Sequence, residues 1–222
     1  MFDSARAPCE APAGCPACAR LEQFRASNQA KWPHWHNNPV PSFGDLSARL
    51  LIVGLAPGLQ GANRTGRPFT GDWAGDLLYA TLLAFNFAQG VYDERPDDGL
   101  RLIDARITNA VRCVPPQNKP TPAEIATCRR YLTATLDAMP NLTAVVALGR
   151  VSHESILRAL GARLAGFPFT HGAVHALPRL AAPPLALFDS YHCSRYNTNT
   201  RVLTPDMFRA VFASVAAFLE KR

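Results

Sequence analysis

LIVGLAPGLQGANRTGRPFTGDWAGDLL, from Leu51 to Leu78, decides the fold. It opens on an apolar run, Leu50 to Val53, stopped by Gly54, which is the pattern of a buried strand. It closes on a stretch from Ala74 to Leu83 that reads as a helix. Between them lies a polar loop holding Gly58, Gly61, Gly66 and Gly71. Glycine lets a backbone approach a ligand closely and take positive φ. A glycine-rich loop at the end of a strand is where an α/β sheet places its ligand. The loop is not a nucleotide phosphate loop, since it contains neither G-x-x-x-x-G-K-[ST] nor G-x-G-x-x-G. It holds Asp72, Phe69, Arg64 and Arg67 instead. An acid and an aromatic beside cations suit a flat base on a sugar-phosphate backbone. A solvated loop whose glycines only make turns is the other reading.

Working outward, strands and helices alternate. Strands are expected at about Arg49 to Gly54, Ala105 to Cys113, Thr143 to Leu148 and Pro184 to Asp189. Helices are expected at Ala19 to Lys31, residues 74–87, Thr121 to Met139, Arg150 to Ala159 and Pro205 to Glu220. Thr121-Pro122-Ala123-Glu124 is a capping box with proline at the first helical position. Residues 88–100 and Ser190 to Leu203 read as loops, and residues 162–177 as extended pieces or a hairpin. The order predicts a three-layer α/β/α sandwich with a mostly parallel sheet. At 222 residues one domain is expected, with residues 1–14 frayed.

Composition narrows the class. Hydrophobic content of 48% and charged content of 18% fit a folded protein. No apolar run approaches a membrane span, and the N-terminus has no apolar signal region, so a cytoplasmic monomer is expected. Net charge is +6, from 23 Lys+Arg against 17 Asp+Glu, which favours a polyanionic partner. Arginine carries most of that charge, and it is the better bidentate phosphate ligand.

Without an export signal, six cysteines point to metal or cluster binding before disulfides. Cys15 and Cys18 form a C-x-x-C, and 14 residues separate Cys113 from Cys128. Four thiolates so arranged suit a tetrahedral ion or a [4Fe–4S] cluster, and spacing does not choose between them. Cys9 is a competitor for Cys15, and Cys193 reads as a passive thiol.

GLAPGLQGANRTGRPFTGD, residues 54–72, resembles the first motif of the uracil-DNA glycosylase superfamily. The likeness is greatest to the family 5, or type-B, iron–sulfur enzymes. Family 4 has an acid directly after the first glycine, where this chain has Leu55. RCVPPQNKPTPAEIATC, residues 112–128, and the stretch from Tyr191 to Thr200 match in order, so the likeness runs from about Cys15 to Thr204.

That resemblance implies a DNA-repair enzyme that hydrolyses the bond between uracil and deoxyribose. Hypoxanthine and other deaminated bases are further expected substrates. It implies a [4Fe–4S] cluster on Cys15, Cys18, Cys113 and Cys128, in a structural role. Cutting an N-glycosidic bond requires base flipping, negative charge or a positioned water near the sugar, and a donor to the departing base. Phe69 is the expected stacking platform. Asp72 fits water positioning or cation stabilisation, and it equally fits a helix N-cap. His192, opening the last motif, would donate to a carbonyl oxygen of the leaving base. The family has His-Pro-Ser there, and Cys193 replaces the proline. Residues 194–198, with Ser194, Arg195 and Asn197, would press into the duplex. Asn109 and Asn118 are rival amides for reading the base edge. Arg64, Arg67, Arg112, Lys119 and Arg195 are candidates for phosphate contact. His153, His171 and His175 read as structural. A non-catalytic iron–sulfur nucleic-acid-binding protein is the alternative function.

Overall fold

The computed structural model describes residues 8–179 and 182–221. In chain order the elements are α1 (Ala19–Lys31), β1 (Leu50–Gly54), α2 (Ala62–Thr65), α3 (Trp73–Ala84), β2 (Ala88–Gln89), β3 (Arg101–Leu102), β4 (Ala105–Asn109), α4 (Pro122–Ala138), β5 (Ala144–Leu148), α5 (Arg150–Ala159), β6 (Val174–Arg179), β7 (Ala182–Ser190), α6 (Arg195–Asn199) and α7 (Pro205–Glu220).

The main sheet has the order β4-β1-β5-β7-β6. Its first four strands are parallel, and β6 closes one edge antiparallel to β7. LLIVG and AVVAL are buried at every position, as strands covered on both faces must be. Leu50 and Ile52 pack with Leu78 and Leu82 of α3 and with Phe208 and Phe212 of α7. Leu51 and Val53 face the other way, toward Leu132 and Leu136 of α4 and Ile156 and Leu157 of α5. This is the mostly parallel α/β architecture read from the sequence. Each fully buried leucine or isoleucine here contributes about 1.5–3 kcal/mol.

Register aligns the strand ends. Gly54 stands opposite Asn109, Ala147 opposite Asp189, and Leu148 opposite Ser190. The chain therefore leaves β1, β4, β5 and β7 along one edge, where loops from all four strands meet. The helix starts are set by side chains. Thr121 and Glu124 form the reciprocal capping box of α4, and Thr204 caps α7 ahead of Pro205.

Several boundaries differ from the sequence reading. α3 stops at Ala84 because Asn86 turns to φ 59. The strand after Ala105 ends at Asn109, short of Cys113. Within 88–102, β2 and β3 make a small antiparallel pair. The glycine-rich loop contains α2, ended by Gly66 at φ 80. The polar loop after Ser190 contains α6, capped by Ser194. Within residues 8–14, expected to be frayed, Glu10 pairs with Arg106 at 2.8 Å and Arg112 at 2.9 Å, and the Cys9 carbonyl accepts from Arg112 at 3.1 Å. Residues 1–7 lie outside the described residues. No helix among the described residues is long and apolar enough to cross a membrane.

Candidate active site and cysteine centre

A cavity of about 480 Å³ opens at the aligned strand ends. Each parallel strand supplies it: Leu55 after β1, Asn109 from β4, Leu148 and Gly149 from β5, and His192 after β7. Ligands of open α/β sheets bind at such an edge, where the strand order reverses direction.

Phe69 is 6% exposed and sits at φ 52. Its ring stacks on His192, with centroids 6.0 Å apart and planes 28° from parallel. Gly54 makes this approach feasible, because a Cβ there would collide with Phe69 Cζ and Asn109 Oδ1.

Asp72 serves the helix and the cavity at once. Its Oδ1 accepts from the Gly75 amide at 3.2 Å as the N-cap of α3. Its Oδ2 faces Gly58 and Gly61, where any side chain would strike the carboxylate. Burial raises the Asp72 pKa, opposed by hydrogen bonds from the Gly75 and Ala74 amides. The His192 pKa is pushed down to about 4 by burial. Its imidazole is therefore neutral at pH 7 and donates from one nitrogen.

The amides part company. Asn109 is 3% exposed, lines the cavity, and its Oδ1 has no hydrogen-bond partner within the protein. Asn118 is exposed at the cavity rim, on a one-turn helix where Gln117 and Asn118 both take positive φ. Asn197 is not among the cavity-lining residues. Its Nδ2 donates to the His192 carbonyl at 2.8 Å and so holds the backbone at His192.

The arginines divide likewise. Arg67 is no phosphate ligand: it is 5% exposed and forms a bidentate pair with Asp98 at 2.8 and 2.7 Å. Arg112 is 1% exposed and engaged by Glu10, Ser42 and Thr135. Arg64 is exposed, its Nε donating to Gln60 O at 2.7 Å. Lys119 is exposed beside Asn118. Ser194 and Arg195 line the cavity. Arg150 and Trp73 line it too and were not singled out in the sequence. The signal for Arg150 was its place directly after the glycine that ends β5.

Cys15, Cys18, Cys113 and Cys128 line one small cavity. The sequence brought them together from α1's entry, the end of the β4 loop and α4. Arg25, 5% exposed, donates to Cys113 Sγ and to the Cys15 carbonyl, both at 2.8 Å. The Arg112 amide donates to Cys128 Sγ at 3.2 Å, and Tyr131 Oη lies 3.5 Å from Cys15 Sγ. A buried guanidinium and an amide aimed at sulfur fit thiolates that carry negative charge. Cys9 points elsewhere, toward Ala134 O at 3.4 Å. Cys193 is fully buried with its thiol 3.5 Å from Ala74 O, and burial raises its pKa.

A third polar centre lies behind the His192 loop. The ligand atoms of His153, His175 and Asp189 fall within 4.8 Å of one another. Asp189 Oδ1 is 2.7 Å from His153 Nδ1, and Oδ2 is 3.1 Å from His175 Nε2. His153 Nε2 is 2.8 Å from Phe167 O. Both His153 nitrogens face acceptors, an arrangement that favours the protonated ring beside Asp189. Burial alone lowers the His153 pKa, but Asp189 outweighs it and holds it raised. Neither histidine is among the residues that line the large cavity.

Residues 41–216 match the profile of the family described as the Uracil DNA glycosylase superfamily. The chain is 43% identical over 203 residues to the type-5 uracil-DNA glycosylase of Thermus thermophilus, covering 89% of this chain and 90% of that protein. It is 38% identical over 208 residues to the type-5 enzyme of Pyrobaculum aerophilum, covering 91% and 88%. Identity to the type-4 uracil-DNA glycosylase of Sulfurisphaera tokodaii is 30% over 194 residues, covering 86% and 80%. The apolar Leu55 wall, the Asp72–His192 cavity and the four converging thiols thus sit in a chain that belongs to the uracil-DNA glycosylase superfamily, among its type-5 members.

Proposed function

We propose that this protein excises uracil from DNA by hydrolysing the N-glycosidic bond of a nucleotide flipped into the Asp72–His192 cavity. The observation that carries this is convergence: an acid, a neutral imidazole, an aromatic ring and a buried unpartnered amide oxygen meet in one cavity, in a chain of this family. Phe69 supplies the face on which the base stacks, and Asn109 pairs with the polar edge of the uracil. As the bond from C1′ to the base breaks, its electron pair leaves with the base. The His192 N–H donates to the base carbonyl oxygen on which that charge gathers. Ionised Asp72 stabilises the cationic sugar and orients the water that attacks it, while its cap bond to Gly75 fixes its direction.

The cavity is as large as sites that hold drug-sized ligands, so a bicyclic base such as hypoxanthine fits the same reading. Leu55 supports breadth as well, because it offers an apolar wall with no polar group to demand one base edge.

The four thiols fit a [4Fe–4S] cluster, which Cys15, Cys18, Cys113 and Cys128 would hold. Bound there, it would supply a structural tie and no chemistry that base removal needs. Arg25 and the Arg112 amide would satisfy its sulfur charge. We further propose a single-domain monomer that works on DNA in the cytoplasm.

Free-base release from duplexes carrying uracil or hypoxanthine tests the function. Uracil released to leave an abasic site is expected. Stable binding with neither base released would favour the non-catalytic reading.

A further inference from the structure

Trp73 follows Asp72 directly and begins α3, yet 48% of its surface is exposed. It belongs to none of the three apolar clusters of the described residues. Its Nε1–H donates to Thr198 Oγ1 at 2.8 Å, across from α3 to α6. The Arg195 guanidinium lies 5.6 Å from its ring centroid, a cation–π contact. Trp73, Ser194 and Arg195 line the cavity, and Tyr196 on the same α6 is 73% exposed.

These contacts constrain the ring at its edge and from one side while leaving much of it in water. An indole held this way loses little freedom when a flat partner lands on it, so the binding gain is not spent on ordering. A packing residue would instead be covered by its own chain. A cation beside the ring gives the partner a second property, namely a phosphate within reach. Flat, stackable and phosphate-linked describes one nucleotide of a strand, at the point where such a strand would deliver another into the cavity.

We propose that Trp73 is a stacking subsite for the nucleobase adjacent to the extruded nucleotide, with Arg195 serving the phosphate between them. The proposal rests on the reading that the cavity takes a nucleotide out of DNA.

The test pairs protein and DNA changes. Wild type, Trp73→Phe and Trp73→Ala are measured for Kd on oligonucleotides with a non-cleavable 2′-fluoro-deoxyuridine, and for KM of uracil release on ordinary uracil DNA. In each series the base on either side of the target is present or replaced by an abasic analogue. Trp73→Ala is expected to weaken Kd and KM about 5- to 150-fold on intact DNA, the span of one lost base–aromatic stack. Trp73→Phe should keep most of the affinity. Removing the one neighbouring base should weaken wild type by a similar factor and Trp73→Ala hardly at all. Losses that multiply independently at both neighbours, or wild-type affinity in Trp73→Ala, would overturn the subsite. If Trp73→Ala does not fold, Trp73→Leu carries the same comparison. Absence of uracil release by wild type, with the binding cycle still coupled, would reject the glycosylase reading and leave the subsite standing.

Discussion

Phe69 and His192 lie face to face, ring centroids 6.0 Å apart, although one follows β1 and the other β7. Both rings line the same cavity, so the proposed base platform and the proposed donor would form one wall. The parallel register of β1, β5 and β7 brings them together, and Gly54 leaves the space for them.

In the proposed mechanism His192 acts as a neutral donor. His192→Ala should lower the rate of uracil release about 10²- to 10³-fold, the usual cost of one lost donor to developing charge. Binding to uracil-free DNA should hold. Because burial depresses its pKa to about 4, the ring stays neutral on raising the pH from 6 to 8. The rate should therefore show no inflection near 6.5 that disappears in His192→Ala. A fall there, traced to this residue, would mean that the charged ring is the working form.

Arg67 and Arg195 should separate stability from binding. Arg67→Met leaves the Asp98 carboxylate buried without its partner, at a cost of about 3–5 kcal/mol in denaturant unfolding. The Arg67 hydrogen bonds hold the Asp98 pKa well below the usual carboxylate range. A depressed carboxylate stabilises above its unfolded pKa, and that stability is lost as pH falls through the folded value. Wild type should thus lose more stability on acidification than Asp98→Asn does. Arg195→Ala should instead leave the melting temperature nearly unchanged, weaken DNA binding, and reduce the log–log salt slope by about 1.

The buried His153–Asp189 pair gives the opposite sign. The raised His153 pKa means that its contribution is complete below about 6.5 and fades as pH rises through the folded value. His153→Ala should be destabilising at pH 6, because it leaves the buried Asp189 with His175 as its remaining ion-pair partner. The gap to wild type should narrow in alkaline buffer. A gap that widens with pH would show that the neutral ring is the stabilising form.

At the cysteine centre, Cys113→Ser or Cys128→Ser should remove iron and the brown colour from anaerobically purified protein. Arg25→Met retains all four thiols but removes the buried cation beside Cys113. Its cluster should bleach faster under chelator than the wild-type cluster. A zinc-loaded, colourless wild type would contradict the cluster assignment.

Much of this was legible before any coordinates. The runs LLIV and AVVAL give buried parallel strands, because only a strand covered on both faces is apolar at every position. The Thr121–Glu124 box gives the start of α4, because cap chemistry is local. Phe69, Asp72 and His192 were singled out because their motifs are local, and the structure brings all three to one cavity. Arg67 misled because its partner, Asp98, sits in a different loop, and no window of sequence separates a buried arginine from a phosphate-facing one. That the Asn197 amide turns back onto its own loop, at the His192 carbonyl, is equally invisible in the sequence. Glu10 was hidden in a Pro- and Ala-rich stretch, since its order comes from Arg106 and Arg112 far along the chain. The exposure of Trp73 depends on how α3 meets α6, which sequence does not state.

The most direct measurement is single-turnover uracil release by Asp72→Asn beside wild type. Asparagine caps a helix as well as aspartate, so the bond to Gly75 and the start of α3 survive while the charge goes. A drop of at least about 10²-fold in rate, with the melting temperature shifted by no more than a few degrees, is the expected result for a residue acting on the sugar and its water. Release at the wild-type rate would contradict the account and leave Asp72 as a helix cap alone.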